Sequence, residues 1–341
     1  MKILITGHTG FKGMWLGNWL KNQGHEIFGI SREIRPTSIY AKSHKNKKDL
    51  FQKEYFFDIA DHKKVFKTWK AISPELVFHL AAQPIVFEAK NNPKDTFLTN
   101  TIGTLNILDV ALKTEITKSL VLITTDKVYK EDNNKKYVED DCLFGQEPYS
   151  ASKVAAELVI NSYRKILPNS FTQFSSARAG NIIGVGDDGA QRLIPYLIQM
   201  CEEDKEILLR NPQATRPWTY ILDVVSGYTK LGFAMLENKI EPGAWNFTGI
   251  DNTEMAVSEI TDIFLEHYSD KKMTVKMEAA NFFEQTKLNL DSSKAQKNLK
   301  WIPKFDTHQT VKAVAQQQKT IYNGSSLEEV IENAIGEYRK L

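Results

Sequence analysis

The 341-residue chain is 42% apolar and 25% charged, with a formal charge of only +2 and a pI near 8.2, which fits a folded protein and provides no bulk field for holding nucleic acid or a membrane surface. Cys142 and Cys201, far apart and with no CxxC pair, exclude a disulfide framework and a cysteine zinc site. No apolar run approaches a membrane span and the first strand starts at Lys2, so the expectation is a cytoplasmic protein without a secretory leader or a metal.

The chain opens with a predicted buried strand, Lys2-Ile-Leu-Ile-Thr6, then the loop Gly7-His-Thr-Gly10-Phe-Lys-Gly13, then a helical repeat. In such a loop the first glycine takes the sharp turn and the second admits a diphosphate against the backbone. The third lets the helix pack on the sheet, leaving free amides aimed at the anion. The spacing is GxxGxxG rather than GxGxxG, and by itself it also describes an ordinary strand-to-helix turn. Apolar runs at 26–30, 55–57, 76–79, 119–124 and 172–177 predict further strands. Residues 61–69, 93–113 and 149–165 repeat apolar positions at helical spacing, with Asp61 and Pro93 as start signals.

This alternation predicts an α/β chain with a Rossmann-like, doubly wound parallel sheet. Beyond about residue 178 the rhythm breaks into short strands and turns such as Gly184-Val-Gly186-Asp-Asp-Gly189, with a C-terminal helix at 307–322. A smaller α/β C-terminal substrate-binding lobe is therefore expected. The division is a dinucleotide domain of 1–178, rejoined by about 217–248, and a second domain of 179–216 and 249–341. Lysine clusters at 42–48 and 135–136 read as solvated surface.

In such sheets ligands lie beyond the carboxyl ends of the strands. Asp58 and Ile59 sit at one such end, where a carboxylate and an amide can address an adenine edge; Asp58 could equally cap the helix opening near Asp61. Leu80-Ala81-Ala82 leave room for a cofactor or simply pack tightly, and His79 reads as a packed, hydrogen-bonded histidine. Thr125-Asp126-Lys127 closes another strand, followed by Tyr149-Ser-Ala-Ser-Lys153 on a helix start. A Tyr and a Lys four apart share one helix face, and with an acid and an amine beside them the set suits oxidation followed by elimination.

The segments TGHTGFKG (6–13), HLAAQP (79–84), TNTIGT (99–104), TTDK (124–127), YSASK (149–153), ARAGNIIG (177–184) and RNPQATRPW (210–218) together resemble the extended short-chain dehydrogenase/reductase family. The likeness spans residues 1 to about 250 and continues weakly to Trp301-Ile-Pro303. Within the family, GHTGFKG, Asp126-Lys127 and ATRPW are most similar to the CDP-glucose 4,6-dehydratase branch. The dTDP-glucose branch has Asp-Glu where this chain has Asp126-Lys127.

The resemblance implies that Tyr149, as phenolate, takes the proton of the sugar 4-hydroxyl while NAD accepts the C4 hydride. Lys153 would hold the cofactor ribose and, together with the positive nicotinamide, lower the phenol from about 10 to about 7, roughly 4 kcal/mol of preference for the anion. Thr125 would bond the 4-oxygen, Asp126 would protonate the departing 6-hydroxyl, and a neutral Lys127 would take the C5 proton. The remaining implied cofactor contacts are Gly7, Thr9, Gly10, Phe11, Lys12, Gly13, Arg32, Asp58, Ile59, Leu80, Ala81, Ala82, Gln83, Asn100 and Thr124. Substrate contacts fall to Gln83, Asn181, Arg192, Leu193 and Arg216, and the helices 93–113 and 149–165 would form a homodimer. The chain departs from the branch at Phe87, where an Arg is usual, and at Asp187-Asp188, where Asp-Trp is usual. Its second strand ends without an acid for the NAD ribose, and Arg32 leaves NADP open. Rival readings are a UDP-N-acetylhexosamine dehydratase, a sugar 4-epimerase, and a non-catalytic dinucleotide sensor.

Overall fold

The computed structural model describes residues 1–43, 50–132, 135–189, 192–250, 255–277 and 288–341, with Arg216 described in its backbone alone. Of the lysines in the 42–48 cluster, only Lys42 falls within these residues. Seven strands form one sheet: β1 (Lys2–Thr6), β2 (Glu26–Ser31), β3 (Lys53–Phe56), β4 (Leu76–His79), β5 (Ser119–Ile123), β6 (Gln173–Ala179) and an edge strand Ala244–Phe247. Their order is Ala244–Phe247, β6, β5, β4, β1, β2, β3, and every pairing is parallel. Strand order reverses between β1 and β4, which opens the crevice in which such sheets take ligands.

Parallel strands covered on both faces must be apolar throughout, and β4 and β5 are buried at every position. The two-residue period sends Ile3 and Ile5 into one core and Leu4 into the other. Asp61 caps the helix His62–Ile72 by accepting from Lys64 N at 3.1 Å. Glu147 caps Pro148–Ile166, its carboxylate taking the amides of Tyr149 and Ser150 at 2.7 Å each.

The single helix expected over 93–113 is three pieces: Pro93–Phe97, a wide π turn Leu98–Gly103, and Thr104–Thr114. The wide turn presents Asn100 inward. Its Oδ1 accepts from Gln83 N (2.8 Å), and its Nδ2 donates to Gln83 O (3.0 Å) and Ser152 Oγ (2.9 Å). Apolar spacing is blind to such a bulge, which recurs near functional sites.

Past β6 the short strands pair among themselves: Asn181–Ile183 with Trp218–Tyr220, Thr215–Arg216 with Met255–Ala256, and Ile207–Leu209 with Val275–Met277. Buried Trp301 donates to Asp223 O at 3.0 Å, and Asp223 accepts from Tyr338 Oη (2.5 Å) and Lys304 N (2.7 Å). These bonds tie the C-terminal helix Leu327–Lys340 to the helix Ile221–Leu236.

Behind the helix Pro148–Ile166 lies a buried ion pair. Arg178 donates to both oxygens of Glu157 at 2.9 and 2.8 Å, and Thr124 and Ser176 complete the carboxylate's bonds at 2.6 and 2.9 Å. Glu157→Gln would leave Arg178 as an uncompensated charge in the core, a loss of about 3–5 kcal/mol. The check is urea unfolding of the two proteins. A midpoint shift worth under about 1 kcal/mol would contradict this account of the pair.

Candidate active site

Gly7 has φ +74°, and a Cβ there would meet Ala81 N at 2.7 Å, so glycine is required by both conformation and space. Under the turn, a Cβ on Gly13 would lie 2.3 Å from Gly7 O. The third glycine therefore lets the helix Phe11–Lys21 close onto the loop, as its spacing suggested. Gly10 begins that helix without any side-chain cap, leaving its first amides for an anion. These features fit a dinucleotide diphosphate.

Around this turn His8 is fully buried. Its ring bonds Ser31 Oγ at 3.0 Å and Glu54 Oε1 at 2.8 Å, and Thr9 N and Oγ1 reach the same Ser31 oxygen at 3.2 and 3.1 Å. The carboxylate at this corner, Glu54 on β3, is engaged by His8 and Tyr40, which the linear pattern did not reveal. Phe11 belongs to the main core. Arg32 is exposed and lies 3.5 Å from Glu33. Asp58 turns onto Ala60 N at 2.8 Å, leaving the helix cap to Asp61, and Ile59 is buried against Gly103.

At the next strand end Ala81 N donates to Thr6 Oγ1 (3.2 Å), and His79 bonds Thr6 Oγ1 (2.7 Å) and Thr104 Oγ1 (3.0 Å). Burial, then the charge of Lys153, drives this imidazole down to about 3, so it stays neutral and structural. Leu80, Ala81 and Ala82 are half-buried along the same segment. Two expected ligand contacts have side chains already engaged. The Gln83 amide donates to Ile85 O (3.0 Å) and Thr96 Oγ1 (3.2 Å) and accepts from Ile85 N (2.6 Å), while Asn100 clamps Gln83 to Ser152. Thr124 likewise gives its hydroxyl to Glu157. These three hold the walls of the crevice.

The chemistry-bearing residues converge. Thr125, Asp126, Tyr149 and Lys153 are all buried; Thr125 Oγ1 donates to Asp126 Oδ1 at 2.9 Å and is hydrogen-bonded to the Tyr149 hydroxyl. Asp126 and Lys127 lie on a 3-10 turn, Asp126–Val128, where Lys127 N reaches back to Thr125 Oγ1 at 3.4 Å. The Lys127 side chain is half-buried and has no hydrogen-bond or ion-pair partner among the described residues. A Cβ on Gly180 would stand 3.0 Å from Asp126 Oδ2, so the AGN segment lies against the acid.

Without a cofactor, burial sets the ionisation of the pair. Lys153 gives Nζ to Ile123 O at 3.1 Å, and burial, then the charge of Lys12, lowers it to about 7 against the pull of Glu157. Tyr149 is pushed up to about 12, by burial first and then by Asp126 and Glu147; the groups opposing this are Thr125 and Arg192. Without a ligand the phenol is therefore neutral, because desolvation outweighs its neighbours.

Two basic groups carry the field into this cluster. Lys12 is half-buried and lowered to about 8 by burial and Arg192, with Asp126 and Asp187 opposing. Arg192 is held 2.7 Å from Asp187 Oδ1, a pairing that keeps its charge despite burial. The Asp187-Asp188 departure thus has a structural role: Asp187 anchors Arg192, and Asp188 anchors Arg35 at 3.0 Å. Leu193 opens the helix Leu193–Glu202 after Arg192, and Asn181 is half-buried on its strand. Arg216 lies on Thr215–Arg216, its side chain outside the described residues.

Sequence reasoning missed Tyr228. Its hydroxyl is buried without a partner among the described residues, within electrostatic reach of Tyr149 and Asp126. It sits mid-helix with no flanking motif, so only the packing of Ile221–Leu236 under the sheet exposes it.

No group of His, Cys, Asp and Glu among the described residues could hold a metal, and no described helix is long and apolar enough to cross a membrane.

A family model described as GDP-mannose 4,6 dehydratase matches residues 4–314. CDP-glucose 4,6-dehydratase of Salmonella typhimurium is 33% identical over 339 residues, covering 96% of this chain and 92% of its own. UDP-glucuronate 4-epimerase of Thermodesulfobacterium geofontis is 26% identical over 93% of this chain and 95% of its own. In fold, the chain matches dTDP-glucose 4,6-dehydratase of Bacillus anthracis in complex with NAD at TM-score 0.77, with 21% identity over 97% of this chain and 99% of that one. It matches UDP-glucose 4-epimerase of Brucella ovis in complex with NAD at TM-score 0.80, with 17% identity over 93% and 98%. With a family model spanning nearly its whole length around this Tyr-Lys and Thr-Asp-Lys cluster, the chain belongs to the nucleotide-sugar 4,6-dehydratase family of extended short-chain dehydrogenases/reductases.

Proposed function

We propose that the protein converts CDP-glucose to its 4-keto-6-deoxy derivative, using NAD held on the Gly7–Gly13 loop. The observation that carries this reading is the single buried cluster of Thr125, Asp126, Tyr149 and Lys153, with Lys127 on the adjoining turn. When bound, NAD supplies a hydride acceptor for C4 and returns the hydride to C6. Tyr149 removes the 4-hydroxyl proton, with Thr125 bonded to the same oxygen. The 4-ketone acidifies C5–H, a neutral Lys127 takes that proton while a protonated Asp126 gives one to the departing 6-hydroxyl so that it leaves as water, and Lys127 returns a proton to C5 when the hydride is returned to C6. Arg192 already opposes the rise of Tyr149 to about 12, and with Lys12 it would receive the diphosphate; the further positive charge that lowers the phenol would be that of the bound nicotinamide beside Lys153. Glu33, 3.5 Å from Arg32, offsets the charge a 2′-phosphate would need and favours NAD over NADP.

Incubation with CDP-glucose, UDP-GlcNAc and UDP-glucose, followed by alkaline absorbance of the 4-keto product, tests the substrate. Turnover of CDP-glucose alone is expected, and turnover of a UDP-sugar in its place would overturn the reading.

Lys12 makes the ligand step pH-sensitive. Poised at about 8, it is half-protonated at that pH, and an arriving diphosphate raises its pKa. Binding of NAD at pH 8 should therefore take up to about half a proton per site, fading as pH falls toward 6. Calorimetry in buffers of different ionisation enthalpy reads this, and Lys12→Met should abolish it. Proton release, or uptake that survives in Lys12→Met, would contradict the assignment.

A homodimer is part of the proposal. Phe97, Leu98 and Ile102 within 93–113 and Leu158 within 149–165 are exposed apolar residues on the two helical regions named from sequence, and Phe87 on the neighbouring helix Val86–Asn91 is exposed as well. Light scattering should give twice the 38.9 kDa chain mass, and Leu158→Glu should halve it.

A further inference from the structure

A second cavity, of about 410 Å³, opens at the sheet edge away from the glycine loop, between the helix Pro148–Ile166, the edge strand and the helix Ser293–Leu299. At its floor is Gly243. An added Cβ there would sit 3.0 Å from Lys294 Nζ and 3.9 Å from both Arg164 Nη1 and Trp245 Nε1. The last two atoms are buried hydrogen-bond donors with no partner among the described residues. Trp245 is 1% exposed, and Lys294 lies 4.4 Å over its ring while giving one bond to Ala244 O at 2.7 Å. Leaving such donors unpaired costs about 1–3 kcal/mol each, so two of them, beside an ammonium with protons to spare, imply an acceptor over this glycine.

The acids around the cavity limit what that acceptor can be. Glu139 Oε1 already accepts from Asn246 N at 2.9 Å, and Asp141 takes Lys135 Nζ at 2.6 Å and Val138 N at 2.9 Å. Exposed Asp140 faces Arg164 and Lys294. With Arg178 compensated by Glu157 and Asp141 by Lys135, the lining balances Arg164 and Lys294 against Glu139 and Asp140. A polyanion would be repelled at the rim, whereas a planar single charge matches the guanidinium and ammonium beneath it.

We infer that this cavity is a binding site for a small monocarboxylate, held by Arg164, Lys294 and Trp245 over Gly243 and separate from the nucleotide crevice. Arg178 closes the cavity's inner wall with its donors engaged, pairing with Glu157, one helical turn beyond Lys153, and with Tyr129 Oη and Glu139 O.

The test is fluorine NMR of trifluoroacetate added to the full-length protein, with NAD and CDP present to fill the nucleotide crevice. Saturable line broadening is expected, displaced by acetate and not by phosphate dianion at pH 8. Arg164→Gln and Gly243→Ala should each weaken it at least tenfold, while Arg192→Gln leaves it unchanged. The Gly243→Ala methyl meets only the flexible end of Lys294, and an unaltered melting temperature would verify folding. Absence of saturable binding, meaning ordered water alone fills the floor, would overturn the inference. So would binding untouched by either variant, or equal displacement by phosphate.

Discussion

Replacing Tyr149 with Phe is expected to lower kcat by about 10²–10⁴, the usual worth of a positioned proton acceptor, with KM for the nucleotide sugar nearly unchanged. The ring stays in its place while the hydroxyl bonded to Thr125 disappears. The raised pKa penalises only the phenolate, so the fold loses just the hydrogen bond to Thr125, about 1 kcal/mol, and the melting temperature should hold or fall slightly. Steady-state kinetics and a thermal melt decide it. A variant within tenfold of the parent would mean that another group takes the 4-hydroxyl proton, and full nucleotide affinity with no activity in the parent would favour the sensor reading.

Lys127→Met should separate the two halves of the chemistry. Its side chain has no partner among the described residues, so the substitution should leave the fold and the Thr125–Asp126–Tyr149 cluster intact. Oxidation at C4 should persist, and formation of the 6-deoxy product should fall by about 10²–10³. The stalled sugar would carry a 4-ketone with its 6-hydroxyl, trappable by borohydride, and solvent deuterium would no longer enter C5. If Lys127→Met keeps C5 exchange while Asp126→Asn loses it, the acid rather than the amine is the base.

The central sheet was legible because buried parallel strands are apolar runs, and those at 2–6, 76–79 and 119–123 stand out without context. The glycine loop was legible through residue type: φ +74° at Gly7 and the close approach at Gly13 admit nothing larger. The short strands past β6, two or three residues each, carry too little periodicity to be placed from sequence. Within the site, Tyr149, Lys153, Thr125 and Asp126 announced themselves by spacing. Gln83, Asn100 and Thr124 carry the right residue types, but their polar atoms are taken by Ile85, Ser152 and Glu157, partners up to 52 positions away. The ionisation was least legible. Whether Lys153 lowers Tyr149 or is itself lowered depends on burial and on Lys12, which only the folded chain brings near.

The most direct test of the account is to follow the C4 hydrogen of CDP-glucose labelled there with deuterium, using the purified protein with its cofactor. One pocket that oxidises, eliminates and reduces in turn must deliver the label to C6 of the same hexose, giving a deuterated 4-keto-6-deoxy product. Label recovered in bulk cofactor or water, or retained in a hexose with its 6-hydroxyl and an inverted C4, would contradict the dehydratase assignment.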